Sequence, residues 1–232
     1  MAVSLRLSAG LAQALSARVR YIQPVCRIQT VCMSVNPTKK AERSEATRAA
    51  LIAVARRLFA ERGFADTATE EIVRQAGVTR GALYHHFRGK EDLFRAVFEQ
   101  VGRDMVRKTV EAAAGQARDP WERFVTGCRA FLEAAMDPGG QRICLIDGPA
   151  VLGWDTWREI DSIHGLGVIR VGLEKAMELR VIDRQPVDPL AHMILAALNE
   201  GAMVIARAAD PQTARRDVEA GVVRLLEGLR AR

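Results

Sequence analysis

Thr67 to Asp92 read T-A-T-E-E-I-V-R-Q-A-G-V-T-R-G-A-L-Y-H-H-F-R-G-K-E-D, and this stretch predicts two short helices joined by a tight turn. Thr67 and Glu70 have the spacing of a capping box, with the Thr hydroxyl and the Glu carboxylate each serving a free amide at the helix start. Ile72, Val73 and Ala76 then recur at core spacing, and Gly77 supplies the left-handed residue that ends the helix. Val78 is expected as the buried plug of the turn. Thr79 is a second N-cap, after which Leu83 and Phe87 point inward while Arg80, Tyr84, His85 and His86 point outward. Helix, glycine-containing turn and helix form the layout that offers a second helix to the major groove of DNA.

Working outward, Ser44–Arg62 reads as a helix whose inner face is Ala49, Ile52, Ala55 and Phe59, with Leu51 and Leu58 beside it. Gly63 ends it and Phe64 folds back into the core. After Gly89, Lys90–Arg107 continues with Leu93, Val97, Val101 and Met105 inward. These elements bound a three-helix domain at 44–92, joined to the remainder through a stiff fourth helix. Residues 108–119 fall away into Ala, Gly and Gln. A helix from Pro120 then aligns Trp121, Phe124, Val125, Cys128, Phe131, Leu132 and Ala135 on one stripe, and Asp137 to Gly140 reads as a turn. Further helices are expected over Ile143–Ile160, interrupted at Asp147-Gly148-Pro149, and through Ile163, Leu166, Ile169, Leu173 and Met177. Two more follow the break at Asp183–Pro189. Residues 93–232 are therefore expected as a six-helix domain.

Composition agrees with this reading. Over 232 residues, 49% are hydrophobic and 27% charged, a globular balance, and aromatics are only 5%. The patterns are helical rather than alternating, so the fold class is all-α. The net charge of +6 is weak support for nucleic-acid binding. Arg6, Arg18, Arg20 and Arg27 all precede Met33 with no acid before Glu42, and subtracting those four leaves +2. Residues 1–38 are expected as a disordered basic extension, with Met33 a natural start for the domain that follows. Cys26, Cys32, Cys128 and Cys144 form no C-x-x-C and no zinc-like cluster, so they read as reduced thiols.

At the opening stretch, G-F-A-D-T-A-T-E-E-I-V-R-Q-A-G-V-T-R-G-A-L-Y-H-H-F-R-G-K-E-D-L-F resembles the N-terminal domain of TetR-type transcriptional repressors, over roughly Thr47 to Val101. The resemblance implies that Thr79, Arg80, Gly81, Tyr84, His85 and Lys90 face DNA, with Thr69 and His86 as further carry-overs. The chemistry of these residues fits. Thr79 and the helix amides suit a phosphate, Arg80 a guanine edge or a phosphate, Tyr84 and His85 thymine methyls or the backbone, and Lys90 a phosphate. A side chain at Gly81 would hold the helix off the DNA backbone. Downstream, R-I-C-L-I-D-G-P-A-V-L-G-W-D-T-W-R-E-I-D and L-A-A-L-N-E-G-A look like the C-terminal domain of a TetR subgroup whose ligands are largely unassigned. Members of the family commonly bind an apolar effector there and leave DNA as a result.

A second site is expected from Phe124, Cys128, Phe131, Trp154, Trp157, His164, Met193 and Asn199, which mix apolar bulk with a few polar groups. The last two helices are apolar over more surface than a single copy covers, and a homodimeric four-helix bundle through Leu190, Ile194, Leu198, Ile205, Val218, Val222, Leu225 and Leu229 is the economical arrangement. The expected partners are double-stranded DNA carrying a palindromic operator, a second copy of the chain and a small-molecule effector. The location is cytoplasmic with no membrane span, since Glu200 interrupts the longest apolar helix. No cofactor and no metal site is expected, because adjacent His85 and His86 point about 100° apart on a helix and cannot share one ion. G-x-S-x-G, H-E-x-x-H and P-loop patterns are missing from the sequence, which argues against an enzyme. The alternative is a helix-turn-helix protein used for interaction or chromosome architecture, without an effector.

Overall fold

A computed structural model describes residues 39–116 and 119–231; the expected N-terminal extension lies outside them. Helices α1 (Lys39–Arg62), α2 (Thr69–Ala76), α3 (Arg80–His86) and α4 (Lys90–Gln116) come first. They are followed by α5 (Pro120–Ala134), the single turn α6 (Pro138–Gln141), a π-helical turn at Arg142–Asp147 and α7 (Gly148–Leu152). The chain ends with α8 (Trp154–Glu178), α9 (Val187–Arg207) and α10 (Pro211–Glu227). No strand occurs among the described residues, in keeping with the all-α expectation.

Three helix starts use one device. Asp119, Asp137 and Asp210 each accept hydrogen bonds from amides of the first turn, and proline follows each as a residue whose missing N–H would have had no partner. The capping box at Thr67 does not form. Helix α2 begins two residues later, with Ala68 as an N-cap lacking a side-chain bond. Thr67 is buried, and its hydroxyl donates to the Gly63 carbonyl at 2.8 Å, closing the end of α1. Gly77 adopts φ 66°, and its own amide together with that of Val78 caps the carbonyls of Arg74 and Val73.

Several boundaries differ from the sequence expectation: α1 begins at Lys39 rather than Ser44, and the expected turn at Asp137 to Gly140 carries the short helix α6. Helix α4 continues through the Ala-rich run to Gln116, because alanine favours helix and because Thr109 and Ala113 close against Gly127 of α5. Helix α8 runs unbroken from Trp154 to Glu178, and the interruption falls at Gly153, whose φ of 76° ends α7. Two of the three glycines of α8 serve close packing: a Cβ at Gly165 would meet Leu195 of α9, and one at Gly172 would meet the Phe124 ring of α5, while Gly167 faces open space.

From Glu45 onward the chain packs as one compact unit containing two hydrophobic clusters. The first joins α1 to α4 around Phe59, Leu58, Leu83, Leu93 and Phe94, and takes in Ile143, Trp157 and Ile160 from beyond the expected domain boundary. The second joins α5, α8, α9 and α10 around Trp121, Leu132, Leu173, Leu198 and Leu226. Helix α9 is long and apolar enough to cross a membrane, with a mean hydropathy of 1.4. Its inner residues Leu190, Ile194, Leu198 and Ile205 sit in that second cluster.

Candidate nucleic-acid interface

Helix α3 spans only 7 residues and is held from beneath by Leu83 and, just past its end, Phe87. Thr79 caps it: the hydroxyl oxygen accepts from the Ala82 amide at 3.2 Å, which leaves the hydroxyl proton free for a phosphate. Arg80, Gly81, Tyr84 and His85 line the exposed face, with Tyr84 47% exposed despite its size. The Arg80 guanidinium carbon lies 5.6 Å from the Tyr84 ring centroid, and Nη1 lies 3.5 Å from Glu70 Oε1 of α2. Among the described residues a Cβ at Gly81 would meet only the Thr79 oxygen, at an ordinary 3.9 Å, so none of them demands glycine there. His86 is half-buried and its ring stands edge-on to His85 at 5.1 Å. Thr69 donates its hydroxyl to Glu70 at 3.1 Å. No grouping of His, Cys, Asp or Glu suited to a metal occurs among the described residues.

Lys90 departs from expectation. Its ammonium donates to the carbonyls of Phe64 at 2.7 Å and Thr67 at 2.9 Å, with Ala65 at 3.5 Å, and lies 4.2 Å from the Phe64 ring centroid. A lysine has three N–H donors, and here all three face the loop between α1 and α2. Within the chain the residue ties down that loop.

Two carboxylates take part in this surface and its support in roles other than those expected from the sequence. Glu70 bridges α2 to Arg80, and its carboxyl is held below the usual carboxylate range by its own amide first and then by Thr69. Asp147, read only as part of an interruption, accepts from the Phe64 amide at 2.8 Å, while Arg142 donates to the Glu61 carbonyl at 3.2 Å. The π-helical turn is thereby fastened to the end of α1. Ten residues separate Glu70 from Arg80 and 83 separate Phe64 from Asp147, so neither pairing leaves a mark in local spacing.

The expected effector residues do not converge. Phe124 and Cys128 are buried in the second cluster with Phe131 packed against it. Trp157 belongs to the first cluster and donates its indole N–H to the Cys144 carbonyl at 2.8 Å. Trp154 and Met193 are 63% and 61% exposed. His164 lies against Gly102 of α4, and burial, followed by the charge of Arg103, lowers its pKa. Asn199 is buried and donates to Asp161 at 2.6 Å. Two surface depressions lie elsewhere: one of about 680 Å³ is lined by Arg129, Arg215, Arg224 and Val223, and one of about 220 Å³ lies where α1 meets Asp137 to Ile143. Among the described residues, Cys128 and Cys144 both have thiols held in the protonated form. Burial pushes the Cys128 thiol up to about 12, and that of Cys144 likewise, although Cys144 as a whole residue keeps some exposure.

Most of the residues expected at the dimer seam are covered within the single chain. Leu190, Ile194, Leu198, Ile205 and Val222 are buried in the chain's own core, with Val218 and Leu229 packed against it. Of the expected set only Leu225 stands out, at 66% exposed. The same two helices expose Met193 and Val204 of α9, and Gly221 of α10 has open space in front of it.

A short capped helix with an exposed polar and aromatic face, set on a three-helix platform beneath a larger helical domain, defines a helix-turn-helix DNA-binding protein. Comparison with known proteins gives the family. Residues 51–97 match the model of bacterial regulatory proteins of the tetR family, and residues 121–229 match that of the tetracyclin repressor-like C-terminal domain. The crystal structure of a TetR-family transcriptional regulator from Pectobacterium atrosepticum is similar at 37% identity and a TM-score of 0.73, covering 82% of this chain and 97% of that one. The HTH-type transcriptional regulator AcrR of Shigella flexneri is 44% identical over 61 residues, which span 26% of this chain and 28% of that protein. The Transposon Tn10 TetC protein of Escherichia coli is 23% identical over 68% of this chain and 80% of its own length. The chain belongs to the TetR family and is a DNA-binding transcriptional regulator.

Proposed function

We propose that the chain acts in the cytoplasm as a homodimeric repressor that reads a palindromic operator and is released from it by a small apolar effector. The observation carrying the DNA half is the one-sided α3: Leu83 and Phe87 are committed to the core, while Thr79, Arg80, Gly81, Tyr84 and His85 are left to an outside partner. The two copies of α3 then sit about 34–36 Å apart, or a multiple of that, to meet successive major grooves. Met193 and Val204 of α9 with Leu225 of α10 supply the apolar surface for a twofold bundle. Phe124, Cys128 and Phe131, between α5 and the helices around it, are the favoured lining for the effector. An effector works only by binding the released geometry more tightly than the bound one.

Selecting bound fragments from genomic DNA, followed by salt-dependent gel shifts on the selected and a scrambled duplex, tests this reading. A large preference for a palindrome supports it. Equal binding to both duplexes would favour an architectural protein, and no small molecule affecting a tight operator complex would remove the effector.

A further inference from the structure

Glu70 is a carboxylate placed on the face that phosphates must approach. Its Oε2 accepts from Thr69, its Oε1 lies 3.5 Å from Arg80 Nη1, and Arg80 in turn lies over the Tyr84 ring. Thr69, Glu70, Arg80 and Tyr84 thus form one connected row across α2 and α3. Arg80, Glu70 and Tyr84 are all exposed, and no other acid is paired to Arg80 among the described residues. Glu71, the other acid of that helix start, is engaged elsewhere by Arg62 and Arg74.

Such a carboxylate has two physical effects. Non-specific binding arises from cations that replace counterions on phosphates, so an acid beside Arg80 subtracts from it whatever the sequence. A base contact needs the guanidinium in one orientation, and a side chain already braced between a carboxylate and an aromatic ring loses less freedom when it makes that contact. Discrimination grows as much by penalising the wrong partner as by favouring the right one. We propose that Glu70 is a specificity-determining positioning residue, which braces Arg80 for base reading and withholds its charge from non-cognate phosphates. This rests on α3 being the element that enters the major groove.

The test compares wild type, Glu70→Gln, Glu70→Ala and Arg80→Ala on a selected operator and on a scrambled duplex across a salt series, with thermal unfolding of each variant. Both Glu70 variants are expected to bind scrambled DNA about three- to tenfold more tightly, with a salt slope steeper by about one. Their operator-to-scrambled ratio is expected to fall by a similar factor, and base preference to broaden at the position that Arg80→Ala also relaxes. Equal changes on both duplexes, or a lower melting temperature with an unchanged ratio, would overturn the proposal and leave Glu70 a helix-start residue. If Arg80→Ala itself leaves operator binding intact, the placement of α3 in the groove fails and this inference goes with it. If Arg80→Ala weakens binding while the Glu70 variants keep the wild-type ratio, only the role of Glu70 is lost.

Discussion

Lys90 and Phe64 are joined twice: the Lys90 ammonium lies 4.2 Å from the centroid of the Phe64 ring, and the same nitrogen donates to the Phe64 carbonyl at 2.7 Å. Lys90 is the first residue of α4, and Phe64 lies in the loop that leads from α1 into the helix-turn-helix. The Phe64 amide is bonded in turn to Asp147 of the π-helical turn. One aromatic residue therefore connects the start of the long helix, the end of the first helix and the C-terminal half of the chain. A lysine that appears placed for DNA in the sequence is a structural clasp in the fold.

Lys90→Ala is accordingly expected to act first on stability. It removes the donor to two close carbonyls and a cation above a ring, and the loss should be about 1–3 kcal/mol in urea unfolding. The salt slope of operator binding should stay near that of wild type. Unchanged stability together with a slope lower by about one would return Lys90 to the phosphate backbone.

Arg80→Ala is expected to weaken operator binding by about 1–3 kcal/mol and to relax one base position, because a base contact cannot be replaced by the neighbouring His85. Folding should be unaffected, since the side chain is exposed and paired only across the surface. A uniform loss on every sequence would make Arg80 a phosphate contact.

Leu225→Glu, alone or with Met193→Glu, tests the proposed dimer surface. Both side chains are more than half exposed in a single copy, so the substitution should leave the helical content of the chain intact. Set in an apolar bundle, the added charges should raise the dimer dissociation constant by at least about tenfold, roughly 1.4 kcal/mol, as read by analytical ultracentrifugation. A dimer of undiminished strength would place the contact on another face.

The contrast between Leu225 and Leu190 shows where the sequence could be read and where it could not. The helices themselves, the caps at Thr79, Asp119 and Asp210 and the stop at Gly77 follow from local chemistry, and each is legible within about four residues. Periodicity marks apolar faces but does not say what covers them. Leu190, Ile194 and Leu198 repeat as a dimer seam would, yet α5 and α8 cover them within one copy. Trp157 reads as part of an effector pocket because its apolar bulk accompanies a few polar groups in that half of the sequence, whereas it packs with Gly148 and Phe98 in the other cluster. Lys90 shows the same gap, since its carbonyl partners lie 23 to 26 residues away.

Cys128 should be inert in the folded chain. With its thiol pushed up to about 12 by burial, only about one in ten thousand is ionised at pH 8, and the thiolate is the reactive form. Site-resolved mass spectrometry after iodoacetamide treatment should find Cys128 unlabelled in native protein and labelled once urea unfolds it. Rapid labelling under native conditions would show that α5 opens readily.

Asp161 supplies a pH dependence whose sign follows from its surroundings. Burial raises its pKa, the hydrogen bond from Asn199 and the charge of Arg158 oppose that rise, and the net direction is upward. A folded-state value above the unfolded one means that the fold prefers the protonated acid. The resulting stabilisation is complete below the unfolded value of about 3.9 and is lost as pH rises through the folded value. Asn at this position keeps an oxygen to accept the Asn199 N–H and carries no charge to desolvate. Asp161→Asn should therefore be at least as stable as wild type at neutral pH, and its advantage should shrink as pH falls toward about 4. A variant that is less stable at neutral pH and recovers on acidification would mean that the ionised carboxylate is favoured where it sits, through a stronger pull from Arg158 than the 3.8 Å separation suggests.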